Sequence, residues 1–480
     1  MATKEARAGA AGAVRIDGGA VEELRGRVRG RIILPGDAPY DERRRVWNGM
    51  IDRQPALIVE CTGTADVAAA VGFARDRGLP ISVRGGGHNV AGTAIADDAV
   101  AVDLSLMNSV WVDPEHHTAR VGGGATLGAV DHETQLFGLA VPAGVMSRTG
   151  IGGLSLHGGL GLLTRHYGLT CDHLLSADVV TADGGVLRAD SRQHADLLWA
   201  LRGGGGNFGI VTSFEFRLHM VGPEVWLGLV MYPIEQAASI LRFWREFMAD
   251  APDELMSLAI FWTTPGEEPV PEGARGVPTL ILAACHSGPL DEGEQAIAPL
   301  REAGTPLVDL SGPTPFVSAQ QLFDPDYPDG RRYYWKSLYL GHLDDEVAAA
   351  LAGHAARRPS PLSSLDIWAL GGAMGRVPAS ESAFARRDAP FLLGIEANWD
   401  DPGQDAVNMG WAREVFRDMQ ARFPGEGTYL NFPGFVEDGG DMVERAYAGN
   451  FARLQEVKAR YDPANLFRSN LNIRPAGTHR

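Results

Sequence analysis

Four glycine runs constrain this 480-residue chain more than any other feature. They are Arg84-Gly-Gly-Gly-His-Asn-Val-Ala-Gly92, Val121-Gly-Gly-Gly124, Gly150-Ile-Gly-Gly-Leu-Ser-Leu-His-Gly-Gly-Leu-Gly161 and Arg202-Gly-Gly-Gly-Gly-Asn-Phe-Gly209. Residues 85–209 hold 24 of the 60 glycines. Glycine tolerates positive φ and lets backbone N–H groups approach an anion closely. Any single run reads equally well as a tight turn. Four of them, each beside a predicted strand, point to one shared purpose, the diphosphate of a dinucleotide. The Rossmann fingerprint is excluded, because it needs a helix after the glycines and Gly203–Gly209 runs into a strand.

Composition narrows the class. With 45% hydrophobic, 21% charged and 8% aromatic residues the chain is globular and not disordered. Its length exceeds one ordinary core, so two domains are expected. A net charge of −17 argues against nucleic-acid binding, which needs clustered cations. No apolar stretch approaches the ~18 residues of a membrane span, and no signal-peptide core follows Met1. Cys61, Cys171 and Cys285 are too few and too scattered for a disulfide framework or a metal site, which fits a reducing, cytoplasmic setting. Only Lys4, Lys336 and Lys458 are lysines among 43 basic residues, a bias that points to a high-GC bacterial genome.

Along the chain, residues 1–20 read as a flexible tail, followed by a short amphipathic helix from Val21. Strand 57–61, helix 64–77 and strand 81–84 form a βαβ unit, with further strands at 99–103, 118–121, 177–181 and 209–218. After Val221 the texture changes to longer strands at 224–234, 258–264, 278–285, 332–341 and 390–400, interleaved with helices such as 235–250 and 344–357. The alternation in 391–399 puts Ile395, Ala397 and Trp399 on one face and Glu396 and Asn398 on the other. The expected domains are 21–220 and 221–424, with 425–480 returning to the first. The C-terminal region starts as one helix from Glu444.

The segments RGGGHN, PAGVMSRTGIGGLSLHGGLGLLTRHYGLTCDHLLSADVVTADG, WALRGGGGNFGIVTSFEFRL and NFARLQEVKARYDPANLFRSNLNI resemble the berberine bridge enzyme-like branch of the vanillyl-alcohol-oxidase/PCMH flavoprotein superfamily. The resemblance spans about residues 27–475. It implies an α+β protein: a PCMH-type FAD-binding domain of two α/β subdomains, plus a substrate domain with a large antiparallel sheet flanked by helices. It also implies FAD, with the diphosphate on the loop Arg84, Gly85, Gly86, Gly87, His88 and Asn89, and His88 joined covalently to the flavin 8α-methyl group. Many relatives add a cysteinyl link. Met146 stands at that position here, and a thioether cannot replace a thiolate, so one bond is expected. Ser147, Thr149, Gly150, Gly152, Gly153, Gly158, Val211, Asn470 and Asn472 match cofactor-lining positions, with Thr149 where relatives admit or exclude O2.

Flavin oxidation of CH–OH or CH–NH needs a group that takes the O–H or N–H proton. Tyr429 in TYLNF is the first candidate, because relatives keep a Y-x-N strand beside the flavin. A second tyrosine, frequent in relatives, is replaced here by Phe432. Glu396 is the second candidate, and Tyr334, Lys336 and Asn398 are expected around the substrate. His157 either faces the flavin or fills space. No spacing suggests a metal site. The expected activity is an oxidase acting on a small molecule with O2 and releasing H2O2, without nucleic-acid or membrane partners. A dehydrogenase or natural-product tailoring enzyme with another electron acceptor, and a non-catalytic flavin carrier, are the alternatives.

Overall fold

The computed structural model describes residues 16–437 and 439–477, so residues 1–15 of the expected tail lie outside the described residues, while residues 18–20 are not tail but the first turn of helix Gly18–Arg25, capped by the Asp17 carboxylate. Three sheets carry the architecture. The first orders strands Arg31–Ile33, Leu57–Glu60, Val100–Asp103 and Ile81–Arg84, the last three parallel. Helix Thr64–Arg77 makes the crossover and stops at Gly78, whose φ of +64° a side chain would disfavour. The second sheet is antiparallel and runs Val110–Asp113, Thr118–Gly122, Ile210–Arg217, Leu174–Val180 and Val186–Asp190. The first, second and fourth glycine runs begin where strand Ile81–Arg84, strand Thr118–Gly122 and helix Ala195–Leu201 end, and the third opens helix Ile151–Leu156.

The third sheet has eight antiparallel strands, with Glu224–Pro233, Pro278–His286, Leu255–Thr263, Ser364–Ala369, Phe391–Trp399 and Arg332–Leu340 in spatial order along its main path. Helices Ala237–Ala249, Leu290–Arg301, Asp345–Ala356 and Asp405–Arg422 bury one face, which supplies Tyr334, Leu338, Ile395, Ala397 and Trp399. The opposite face presents Trp262, Tyr333, Trp335 and Trp368 toward the glycine loops. Period-two alternation sorts each strand between these two environments. Strand Ser364–Ala369 carries no clear sequence signal, since Asp366 interrupts a six-residue apolar run. The C-terminal helix also differs from expectation: it divides into Gly439–Tyr447 and Phe451–Tyr461 at Gly449-Asn450, where Asn450 Nδ2 donates to Ala379 O and Ser382 O instead of supporting a continuous helix.

This C-terminal segment packs on the second sheet, contributing Tyr447, Leu454, Leu471 and Ile473 to its core. One buried cation fixes it. Lys458, 0% exposed, donates to Asp462 Oδ2 at 2.6 Å, Asn207 O at 2.8 Å and Phe467 O at 2.9 Å, using all three ammonium hydrogens. Asn207 belongs to the fourth glycine run, and its Oδ1 accepts from Ile473 N at 2.9 Å. The run is thereby tied to the chain end at two points.

Two predictions follow from buried charge. Lys458→Met strands Asp462 without its counterion and should lower unfolding free energy by about 3–5 kcal/mol in urea titration, whereas a loss below about 1 kcal/mol would contradict the role. Asp131, 2% exposed on helix Leu127–Thr134, is neighboured by the Gln320 amide, and burial outweighs that contact and pushes its carboxyl up to about 7. The folded protein therefore keeps a proton that the unfolded chain releases above pH ~4, and stability falls as pH rises from there to about 7. Asp131→Asn should raise the Tm at pH 8 and leave it nearly unchanged at pH 4.

Candidate active site

Between the glycine loops and the third sheet lies a cavity of about 210 Å³. Gly85, Gly86, Gly87, His88, Asn89, Thr149, Gly150 and Gly153 form one wall, and Trp262, Tyr327, Trp335, Asp366, Trp368 and Glu396 form the other. Tyr429, Asn431 and Phe432 close the end. A second cavity of about 140 Å³, lined by Gly152, Gly206, Val211 and Asn470, shares Gly85, Gly153 and His157 with the first, so the two make one elongated cleft.

The cleft is shaped for a dinucleotide. A Cβ on Gly153 would meet nothing within 4 Å, and one on Gly206 only Asn470 Nδ2 at 3.9 Å, so side chains at either position would project into the space. No Lys or Arg is among the described residues lining either cavity, which leaves backbone N–H groups to meet a diphosphate. His157 Nε2 and Asn470 Oδ1 are buried beside the cleft without hydrogen-bond partners, available to a ligand. Of the two readings for His157, the cleft-facing one holds. These residues fit FAD.

His88 is positioned by stacking. Its ring lies 4.1 Å from Trp47 at 17°, and Trp47 in turn stacks on Tyr333 at 3.7 Å. Trp47 N donates to Gly87 O, and Trp47 Nε1 donates to Tyr327 O at 2.9 Å. Asn48 bridges Val90 O and Tyr333 O. The segment around Trp47 therefore seams the His88 loop to the third sheet. Burial pulls the His88 imidazole down to about 3, so the ring is neutral at physiological pH.

Tyr429 Oη accepts hydrogen bonds from Gly159 N and Leu160 N, both at 3.1 Å, and from Asn431 Nδ2 at 2.9 Å. Burial nevertheless outweighs these donors and pushes the phenol up to about 12, leaving it protonated at neutral pH. The acids behave differently. Glu396 and Asp366 sit on adjacent strands, 4% and 6% exposed, and Tyr327 Oη donates to Glu396 Oε2 at 2.7 Å. Burial and the neighbouring Asp366 carboxylate push Glu396 well above the usual range, and burial raises Asp366 as well. The pair thus holds roughly one proton near neutral pH.

Several expected site residues stand elsewhere. Arg84 turns away from the cleft and donates to Arg43 O at 2.7 Å. Ser147 N donates to Asp324 at 2.9 Å and its hydroxyl to the same carboxylate, so it braces the loop from behind. Gly158 lies behind the wall against Phe384 and Tyr429, and Asn472, with its Oδ1 buried and unpartnered, lines neither cavity. Tyr334 and Lys336 are corrected outright as substrate contacts: they point into the helix layer, where Tyr334 donates to Glu437, and Lys336 Nζ lies 3.7 Å from Glu437 and 4.4 Å from the Phe416 ring. The alternation of Arg332–Leu340 puts Tyr333 and Trp335 on the cavity side instead. Asn398 sits one layer back, accepting from Trp335 Nε1 at 2.7 Å. Asp366, Tyr327 and Trp47 escaped the sequence reading. An acid inside the apolar run SLDIWA was the available signal for Asp366; Tyr327 and Trp47 lie in irregular loops that offer none.

Comparison with known proteins agrees with this geometry. The family model for the FAD binding domain matches residues 55–190, and that for berberine and berberine-like proteins matches residues 428–474. The (R)-6-hydroxynicotine oxidase of Paenarthrobacter nicotinovorans is 31% identical over 468 residues, covering 94% of this chain and 98% of its own. The crystal structure of 6-hydroxy-D-nicotine oxidase from Arthrobacter nicotinovorans superimposes with a TM-score of 0.83 at 30% identity, over 93% of this chain and 98% of that one. Glucooligosaccharide oxidase from Acremonium strictum, described with a 6-S-cysteinyl, 8α-N1-histidyl FAD, shares the fold at a TM-score of 0.84 and 24% identity, over 96% of this chain and 100% of that one. A glycine cleft fit for FAD, a sheet of aromatic and acidic residues facing it, and near-complete alignment with an FAD enzyme lead to one conclusion: this chain belongs to the berberine bridge enzyme-like FAD-linked oxidoreductases.

Proposed function

We propose that this protein is an oxidase carrying FAD on a single covalent tether at His88, and that the Asp366–Glu396 pair takes the proton released as a small-molecule alcohol or amine is oxidised. When bound, FAD supplies the hydride acceptor, and O2 restores it with release of H2O2. The backbone of Gly85–Gly87 and the wall at Gly152 and Gly153 hold the diphosphate, and Trp47 fixes the His88 ring. The neutral imidazole retains the lone pair that a bond to the flavin methyl group requires. The histidyl attachment described for glucooligosaccharide oxidase supports this reading. Met146 lines the same cavity and offers no thiolate for a second bond. Thr149 leaves room for O2.

The acid pair carries the proposal. Tyr429 remains protonated, His88 is neutral and burial disfavours the charged form of His157, so among the described lining residues the pair supplies the carboxylates that can take a proton. Glu396, hydrogen-bonded to Tyr327, presents the pair to the cavity.

Acid-precipitated protein should stay yellow with a mass raised by one FAD, and His88→Ala should release the colour; colourless wild-type precipitate would contradict the tether. Glu396→Gln should lower kcat by about 10²–10⁴, the usual range for a lost general base, while Tyr429→Phe should cost less than about tenfold. Because burial raises both acids above the ordinary carboxylate range, kcat should fall on the acidic side as the pair takes up its second proton. Equal losses in both variants, or a flat acidic limb, would refute the assignment. Slow reoxidation of reduced protein in air would favour a different electron acceptor.

A further inference from the structure

Asp366 and Glu396 form a buried negative charge that no lysine or arginine among the described lining residues balances. Asp366 Oδ1 has no hydrogen-bond partner. A buried, uncompensated carboxylate is unfavourable, and folding normally removes it by pairing or by apolar replacement. Here the surroundings instead prepare a place for a cation. Trp262, Trp335 and Trp368 line the same wall, with Tyr327 edge-on to Trp335 at 5.4 Å and Phe432 edge-on to it at 5.3 Å. Aromatic faces attract cations, most strongly where water is excluded. Gly394 keeps the floor clear between the acids: a Cβ there would stand 3.5 Å from Asp366 Cβ and 3.8 Å from Glu396 Oε1.

We infer that the substrate is a monocationic amine with a compact aromatic or alicyclic body, its ammonium seated on the Asp366–Glu396 pair and its body among the tryptophans. This rests on the oxidase reading above and narrows it to CH–NH donors. One shared charge matches one ammonium, and an anionic substrate would meet only repulsion. The bound ammonium must pass one proton to the pair, becoming a neutral amine, before its α-carbon can give up hydride. The aromatic wall offers few groups to the many hydroxyls of a sugar.

Calorimetric titration of the flavin-loaded protein at pH 7.5 with benzylamine, benzyl alcohol and benzoate tests this. Benzylamine should bind at least tenfold tighter than the alcohol, with benzoate weakest. Asp366→Asn/Glu396→Gln, compared in its flavin-loaded form, should abolish that preference. An alcohol that binds as tightly as the amine, undetectable benzylamine binding, or a preference that survives in the double variant would overturn the inference. Should the double variant fail to load flavin, the wild type decides. Its benzylamine affinity should fall at least tenfold from pH 7.5 to 5 as the pair protonates, with the alcohol unaffected, and a flat profile would be contrary. His88, His157, Tyr327 and Tyr429 also face this cavity; His88, Tyr327 and Tyr429 keep their protonation states through that window, and burial lowers the His157 imidazole from its ordinary value, its contribution being read from the same pH titration of His157→Gln. Absence of peroxide with every donor would defeat the oxidase reading and leave the affinity order standing; peroxide from alcohols alone would defeat the amine assignment alone.

Discussion

Backbone-to-backbone contact between glycines sets the geometry on which everything else in this protein rests. A Cβ on Gly86 would stand 2.3 Å from Gly150 N, and one on Gly150 would stand 2.3 Å from Gly86 N. Gly123 meets Val211 O at 2.4 Å in the same sense, and Gly161 meets Ala143 O at 1.7 Å. No side chain fits at such distances, so the loops from the first and second sheets can approach only as bare backbone. Their approach brings N–H groups together along a cleft and leaves Gly153 and Gly206 facing open space. Some glycines of the four runs therefore clear room for the ligand, and others clear room for one another.

That arrangement needs anchoring, because glycine loops gain little from packing and lose much conformational freedom on ordering. Lys458 supplies an anchor at one end, through Asn207 and the chain terminus. Trp47 supplies it at the other, sandwiched between His88 and Tyr333. Glycine loops, C-terminal segment and third sheet are thus joined by a buried ammonium and an aromatic stack. Function then depends on what the sheet shows to the cleft: indole rings and two acids, with no lysine or arginine among the lining residues.

Much of this was legible in the sequence. The glycine runs line the cleft, as their clustering suggested, and the alternation in Phe391–Trp399 put Glu396 and Asn398 on the side of the sheet that carries Trp335. The same rule applied to Arg332–Leu340 fails for Tyr334 and Lys336, because a strand buried on both sides gives no polar/apolar contrast to say which face meets the cavity. Asp366 lay hidden in a short strand whose neighbours are defined only by pairing across the sheet. Trp47 and Tyr327 reach the site from irregular loops more than 200 residues apart in sequence, a juxtaposition that tertiary folding alone creates. Arg84 and Ser147 belong to the right loops, yet their side chains turn outward to brace them, a distinction that no motif records.

In the loaded protein, bare backbone would cradle FAD while the acids of the third sheet face the flavin ring. A crystal structure of the flavin-loaded protein tests it most directly. The diphosphate should lie against the N–H groups of the glycine loops, and the isoalloxazine ring should sit between His88 and Tyr429, with Asp366 and Glu396 across the remaining cavity. A diphosphate held by arginine side chains, or a ring outside the cavity that His88 shares with the two acids, would contradict it.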